Sequence, residues 1–129
     1  MARTAIQPAS LRDPRPRFTT AWKVGNTIYV AGQTASEEQG VTGPGDIRVQ
    51  TRTAMERIRT ILEAAGASMK DVVKTTVYVT DMRYREAYNE VRQEFWSTDP
   101  PASTLVQIVA LATPGALIEI EVIAVVDVV

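Results

Sequence analysis

Two carboxylates stand two residues apart in an otherwise aliphatic run, "ALIEIEVIAVV" (116–126). In an extended strand residues i and i+2 share a face. Glu119 and Glu121 therefore project from one side, with Ile123 and Val125, while Ile118, Ile120, Val122, Ala124 and Val126 project from the other. An unpaired carboxylate among aliphatic side chains is costly to bury, and a wet cleft relieves that cost. In such a cleft Glu119 has a raised pKa and can orient or deprotonate a water. The competing reading pairs it with a Lys or Arg across a subunit contact. Glu121 is read as structural.

Few other groups are available for chemistry. The chain has no Cys and no His, so it lacks a thiol nucleophile, a thiolate metal site, the commonest zinc ligand and the usual general base near neutral pH. Catalysis must come from carboxylates, Arg, Lys, Tyr, hydroxyls or backbone amides. Ser103, in "DPPASTLVQIVAL" (99–111), sits where a turn is expected to feed a buried strand. Without an imidazole beside it, it is a hydrogen-bonding group rather than a nucleophile. Arg12, Arg15 and Arg17 fall in the proline-rich stretch "PASLRDPRPR", read either as a solvated basic loop or as a source of positive charge. Arg17 adjoins Phe18. "GPGD" (43–46) is a turn and helix cap, not a phosphate loop, because no Lys-Ser/Thr follows it.

The elements that must position these groups alternate in type. "FTTAWKV" and "TIYVAGQ" are β-rich runs flanking Gly25-Asn26, a hairpin turn, and a weaker strand is expected at Thr4–Gln7. Asp46 is a helix N-cap, and Ile47, Ala54, Ile58, Ile61 and Ala65 make one apolar stripe, flanked by Met55 and Leu62, that ends at Gly66. "VVKTTVYVT" (72–80) is a strand, with Val73, Thr75, Val77 and Val79 expected on one face. A second helix places Tyr84, Tyr88, Val91 and Phe95 together, and "STLVQIVAL" and "LIEIEVIAVV" close the chain around a Thr113-Pro114-Gly115 turn. Trp22, Tyr78, Tyr88 and Trp96 are assigned to core or interface. The order β-β-β-α-β-α-β-β predicts an α+β fold with two helices on one face of five or six strands. The partly apolar second face then suggests subunit association.

A chain of 129 residues is expected to form a single domain over 1–129, with 1–17 an N-terminal strand and Pro/Arg-rich loop. The net charge of -1 argues against a nucleic-acid partner. No apolar run approaches the roughly 18 residues of a membrane span, and "MARTAIQPASLRDPRPRF" has no apolar signal core. A cytoplasmic location is the expectation.

The stretches "VGNTIYVAGQT" (24–34), "ILEAAGASMKDVVKTTVYVTDM" (61–82), "YNEV" (88–91) and "IEIEVIAVV" (118–126) resemble, in order and spacing, the RidA/YjgF family of reactive intermediate deaminases. The resemblance covers nearly all of the chain after residue 17. It implies a chorismate-mutase-like α+β subunit, a homotrimer and a small-molecule site in each of three clefts between subunits. Typical members hydrolyse imines or enamines to a keto acid and ammonia with no metal or organic cofactor. In them a Pro-Ala-Arg-Ser segment supplies an Arg for the substrate carboxylate, and a Glu on the last strand orients the attacking water.

That Glu corresponds to Glu119, a helix Asn to Asn89, and a glycine of "AGQT" to Gly32. The Arg falls on Ser103, a Tyr of the N-terminal loop on Phe18, and a Cys often found two residues past the Arg on Leu105. The expected site is thus Glu119 as the water-activating group, with Ser103, Gly32, Asn89, Phe18 and Arg17 around a small-molecule substrate. A serine replaces only part of a bidentate guanidinium, so the usual α-imino acids are not the expected substrates. Two rival readings stand beside this one: a trimer that binds a metabolite or a protein partner without turnover, and an RNA-cleaving activity, a label attached to relatives. The charge balance and the lack of His weigh against the second.

Overall fold

The structure, a computed structural model, describes residues 2–127. One mixed sheet of six strands runs in the order β1-β2-β3-β6-β4-β5. Its strands are β1 (Arg3–Ile6), β2 (Ala21–Val24), β3 (Thr27–Gln33), β4 (Val72–Val79), β5 (Ala102–Gln107) and β6 (Ile118–Val125). The β2–β3 hairpin closes Val24 against Thr27, with Gly25 at φ 60°, a conformation in which a side chain is disfavoured. Only β4 and β5 pair in parallel.

Helix α1 (Ile47–Ala64) begins where the Asp46 carboxylate accepts a hydrogen bond from the Val49 amide, one of the orphan donors of a first turn. Beyond its Ala65 cap, Gly66 takes φ 81°, as a left-handed C′ residue does. All seven expected stripe residues are buried, against Ile28, Val30, Val77, Val79, Ile118, Ile120 and Val122 of the sheet. Helix α2 (Arg85–Phe95) buries Tyr88 and Val91 and packs beside α1. Trp96 is also in the core, its indole N–H donating to the Met69 carbonyl at 2.8 Å.

The structure corrects two expectations. Val73 is not on the core face: Val72 pairs with Ala124 and Lys74 with Ile123, a β-bulge that sets two β4 residues against one. Val72 turns inward and Val73 is left exposed. Second, "STLVQIVAL" is not a buried strand. β5 stops at Gln107 and forms the sheet edge, with five of its six residues exposed in the single chain. Its apolar run continues after the ladder ends, and Val109 lies wholly exposed. β4 lies between β5 and β6 and pairs with both.

The helix side of β6 is buried and its other side half-exposed, residue by residue. Glu119, Glu121 and Ile123 thus lie on a face that no helix covers.

Candidate functional site

Glu119 enters the sheet near the start of β6, opposite Tyr78 of β4. Gly32 of β3 lies beneath it: a Cβ built there would stand 2.6 Å from the Glu119 Cδ and 2.9 Å from Oε2. The φ of Gly32 is not positive. The glycine is therefore required for space and not for backbone conformation, and the carboxyl group lies across the strand where a side chain would be. Burial, followed by the like charge of Glu121, raises the Glu119 pKa. Among the described residues no Lys or Arg forms an ion pair with it. Glu121 accepts a 2.5 Å hydrogen bond from the Tyr78 hydroxyl. That bond is the largest cause of the raised Tyr78 pKa, ahead of burial and the two carboxylate charges.

Glu119 and Gly32 line a cleft of about 490 Å³ with Arg12, Arg17, Phe18 and Thr34. A second hollow of about 250 Å³ shares Arg12, Phe18, Gly32 and Thr34 and adds Leu11 and Arg57. The proline-rich loop thus forms one wall. Arg15 is tied to Asp13 in a 2.5 Å ion pair, which with the Arg15 backbone amide lowers the Asp13 pKa to about 2. Arg12 and Arg17 form no ion pair among the described residues.

Arg57 of α1 fixes the opposite wall. Its guanidinium donates to the carbonyls of Thr34 at 2.8 Å and Ser36 at 2.7 Å, and to the Glu37 carboxylate at 2.9 Å. The Thr42 hydroxyl also donates to Glu37 and, with the charges of Arg57 and Arg12, holds its carboxyl below the usual range.

Of the six expected site residues, the chain brings Glu119, Gly32, Phe18 and Arg17 into this one cleft. Ser103 and Asn89 lie elsewhere. Asn89, on α2, borders a shallow surface with Met82, Arg83, Arg85 and Glu86. Ser103 pairs with Thr75 on the buried side of β4, and its Oγ accepts a 3.0 Å hydrogen bond from the Thr75 hydroxyl. Glu119 pairs with Tyr78, three residues further along β4 and on its other face. Three residues of rise and two strand spacings place the Ser103 and Glu119 backbones about 14 Å apart. Their side chains point to opposite sides of the sheet.

Sequence reasoning overlooked Gln50 and Arg57. Gln50 is fully buried. Its amide donates to the Gly43 and Gly115 carbonyls, each at 3.1 Å, and its oxygen accepts from the Leu117 amide at 2.8 Å. It thus ties two loops to α1 just before Glu119. The signal was there, since Gln50 falls on the apolar stripe between Ile47 and Ala54. Arg57 carries no such signal: on a helix with several arginines, only the tertiary structure distinguishes it.

The chain has clear relatives. The family model for endoribonuclease L-PSP matches residues 9–126. A RutC family protein of Pyrococcus abyssi is 42% identical over 125 residues, covering 96% of this chain and 98% of that protein. Another, from Sulfurisphaera tokodaii, is 40% identical over 113 residues, 85% and 90% of the respective chains. Among solved structures, a YjgF/YER057c/UK114 family member from Mycobacterium tuberculosis aligns over 97% of this chain and 100% of its own, with TM-score 0.83 and 35% identity. RidA from the Antarctic bacterium Psychrobacter sp. PAMC 21119 aligns over 95% and 99%, with TM-score 0.86 and 34% identity. The chain belongs to the RidA/YjgF (endoribonuclease L-PSP) family.

Proposed function

We propose that this chain is a hydrolase that adds water to the C=N bond of a small imine or enamine at clefts between the subunits of a homotrimer, without metal or organic cofactor. The observation that carries the reading is Glu119: a half-buried carboxylate with no ion-pair partner among the described residues, lying across Gly32 on the wall of a cleft. A base of raised pKa is matched to taking a proton from water and returning it near neutral pH. Water adds to the imine carbon as its proton passes to Glu119. The nitrogen is protonated, the carbinolamine collapses, the C–N bond breaks and C=O forms, releasing ammonia. An enamine enters the same sequence by protonation at carbon. Gly32 contributes backbone and the space for the carboxyl, and Phe18 and Arg17 contribute the cleft wall.

The same geometry supports assembly. Ser103 and Glu119 of one chain are about 14 Å apart on opposite faces, too far for both to hold one small molecule. A neighbouring copy supplies the second group, and with it Asn89, to a shared cleft. The face carrying Glu119 lies open to receive that copy. The substrate is not a common α-imino acid, since Ser103 offers β5 no charge for a carboxylate. The family name endoribonuclease speaks of RNA, but a net charge of -1 and the lack of His give this chain neither phosphate grip nor imidazole.

The test is an imine-turnover assay on wild type and Glu119→Gln, with the assembly checked by scattering. Gln keeps the shape but takes no proton, so the rate should fall by about 10²–10⁴-fold. Wild-type turnover in the variant would make Glu119 structural. The uncharged Ser103 favours one rival, a trimer that binds a metabolite or partner without catalysis; ligand-induced melting shifts with no turnover would establish it.

A further inference from the structure

Tyr88 is 2% exposed, and its hydroxyl has no hydrogen-bond partner among the described residues. Buried polar atoms are nearly always paired, so this one calls for an explanation. The ring rises from α2 to the far edge of the sheet. Burial raises the phenol pKa, opposed by the charge of Arg92 and by the hydroxyls of Ser103 and Thr75, which lie against it without reaching bonding geometry. Thr75 is 1% exposed and donates to Ser103 at 3.0 Å. Ser103 is itself exposed on the edge strand. Three hydroxyls thus run from the core to the surface at the position where the family pattern has a guanidinium.

A hydroxyl donates one proton and accepts through two lone pairs. With Thr75 donating to it, Ser103 keeps its own proton to direct outward. Tyr88 behind the pair can donate to either oxygen after a small rotation, polarising the chain towards a ligand acceptor. No member of the cluster carries charge near neutral pH. Arg92 is the charged group the phenol senses, and it belongs to the helix side.

We propose that the Tyr88–Thr75–Ser103 hydroxyl chain makes the β5 edge a subsite for an uncharged carbonyl of the substrate, of the amide class, in place of a carboxylate. Ser103 would touch the ligand, and Tyr88 acts as a positioning residue through it. The inference rests on the reading of the cleft given above and narrows its substrate class.

Titrations with pyruvamide and pyruvate, followed by protein NMR or calorimetry, test the subsite without needing turnover. Wild type should bind the amide at least about tenfold more tightly, because the three hydroxyls offer a carboxylate no cation in exchange for its water. Tyr88→Phe removes only the buried oxygen; it should keep the melting temperature or raise it, and reduce the amide preference several-fold. Ser103→Arg should reverse the preference, with pyruvate gaining about ten- to hundredfold. Three results overturn the proposal: wild type preferring pyruvate, which would bring Arg92 or Arg17 into play; Tyr88→Phe leaving the preference unchanged; or neither probe binding. An amide preference persisting where no imine is ever turned over would sink the deaminase reading and leave the subsite standing. Turnover with the acid preferred would do the reverse.

Discussion

Replacing Gly32 with alanine isolates the proposed catalytic contact from the fold. Its backbone is one that alanine adopts, and the added methyl would meet the Glu119 Cδ at 2.6 Å and Cγ at 2.8 Å. Carbon atoms rest at roughly 3.5–4.0 Å, so the carboxyl group must withdraw by about 1 Å. The atoms that give way are the end of a flexible side chain facing a cleft, which keeps the stability cost small. Removing glycine's freedom in the unfolded chain returns about 0.4–1 kcal/mol. Melting should therefore move by roughly 5 °C or less. Displacing a catalytic group by about 1 Å costs on the order of 10²-fold in rate, or about 2.7 kcal/mol of transition-state stabilisation. The assay is imine hydrolysis by wild type, Gly32→Ala, Glu119→Gln and the double variant, with melting curves for each. If the glycine acts through Glu119, the double variant should be no slower than Glu119→Gln alone. Losses that simply multiply, or wild-type rates in Gly32→Ala, would refute the reasoning.

Other consequences are as direct. Burial raises the Glu119 pKa, so between the unfolded and folded values the native state holds the extra proton and stability falls as pH rises. Glu119→Gln should then melt like wild type near pH 4 and higher than wild type near pH 7; the opposite order would mean that the carboxylate is favourably paired in the assembly. Light scattering after size exclusion should give about three times the chain mass, and a stable monomer at micromolar concentration would remove the shared cleft. Gln50→Leu strands three backbone groups now bonded at 2.8–3.1 Å. At about 1 kcal/mol each this should cost about 3 kcal/mol in denaturant unfolding, and a loss below about 1 kcal/mol would show that water satisfies them.

The features legible in the sequence were those set by local period and turn chemistry. The α1 stripe, the Asp46 cap, the Gly66 stop and the alternation of β6 all follow from residues within a few positions of one another, and each stands as expected. The failures were questions of who lies beside whom. Period-two reading put Val73 inward because nothing local announces a bulge. The apolar residues after Ser103 suggested burial, yet periodicity does not say whether a strand is central or at the edge. Glu119 was singled out by its apolar neighbours and the family pattern, and the structure places it on the cleft wall. Its dependence on Gly32 as empty space is a through-space relation between β3 and β6. The side of the sheet taken by Ser103 was likewise fixed only by its partner, Thr75.

The positions that depart from the family pattern are not scattered. Phe18 lies in the loop that walls the cleft, and Ser103 and Leu105 lie on the edge strand. Of the positions that keep it, Gly32 and Glu119 lie on the adjacent inner strands β3 and β6, and Asn89 lies on α2. A side chain on an inner strand is held by ladders on both sides, and moving it disturbs the core beneath. An edge residue has one neighbour, and a loop residue fewer constraints still. In this fold the group proposed to activate water stands on the part of the sheet least free to change. The groups proposed to grip the rest of the substrate stand on the part most free to change, where a second copy of the chain is proposed to complete them. Substrate choice can therefore drift, from a charged guanidinium to the hydroxyls of Ser103, Thr75 and Tyr88, while the carboxylate across Gly32 stays in place.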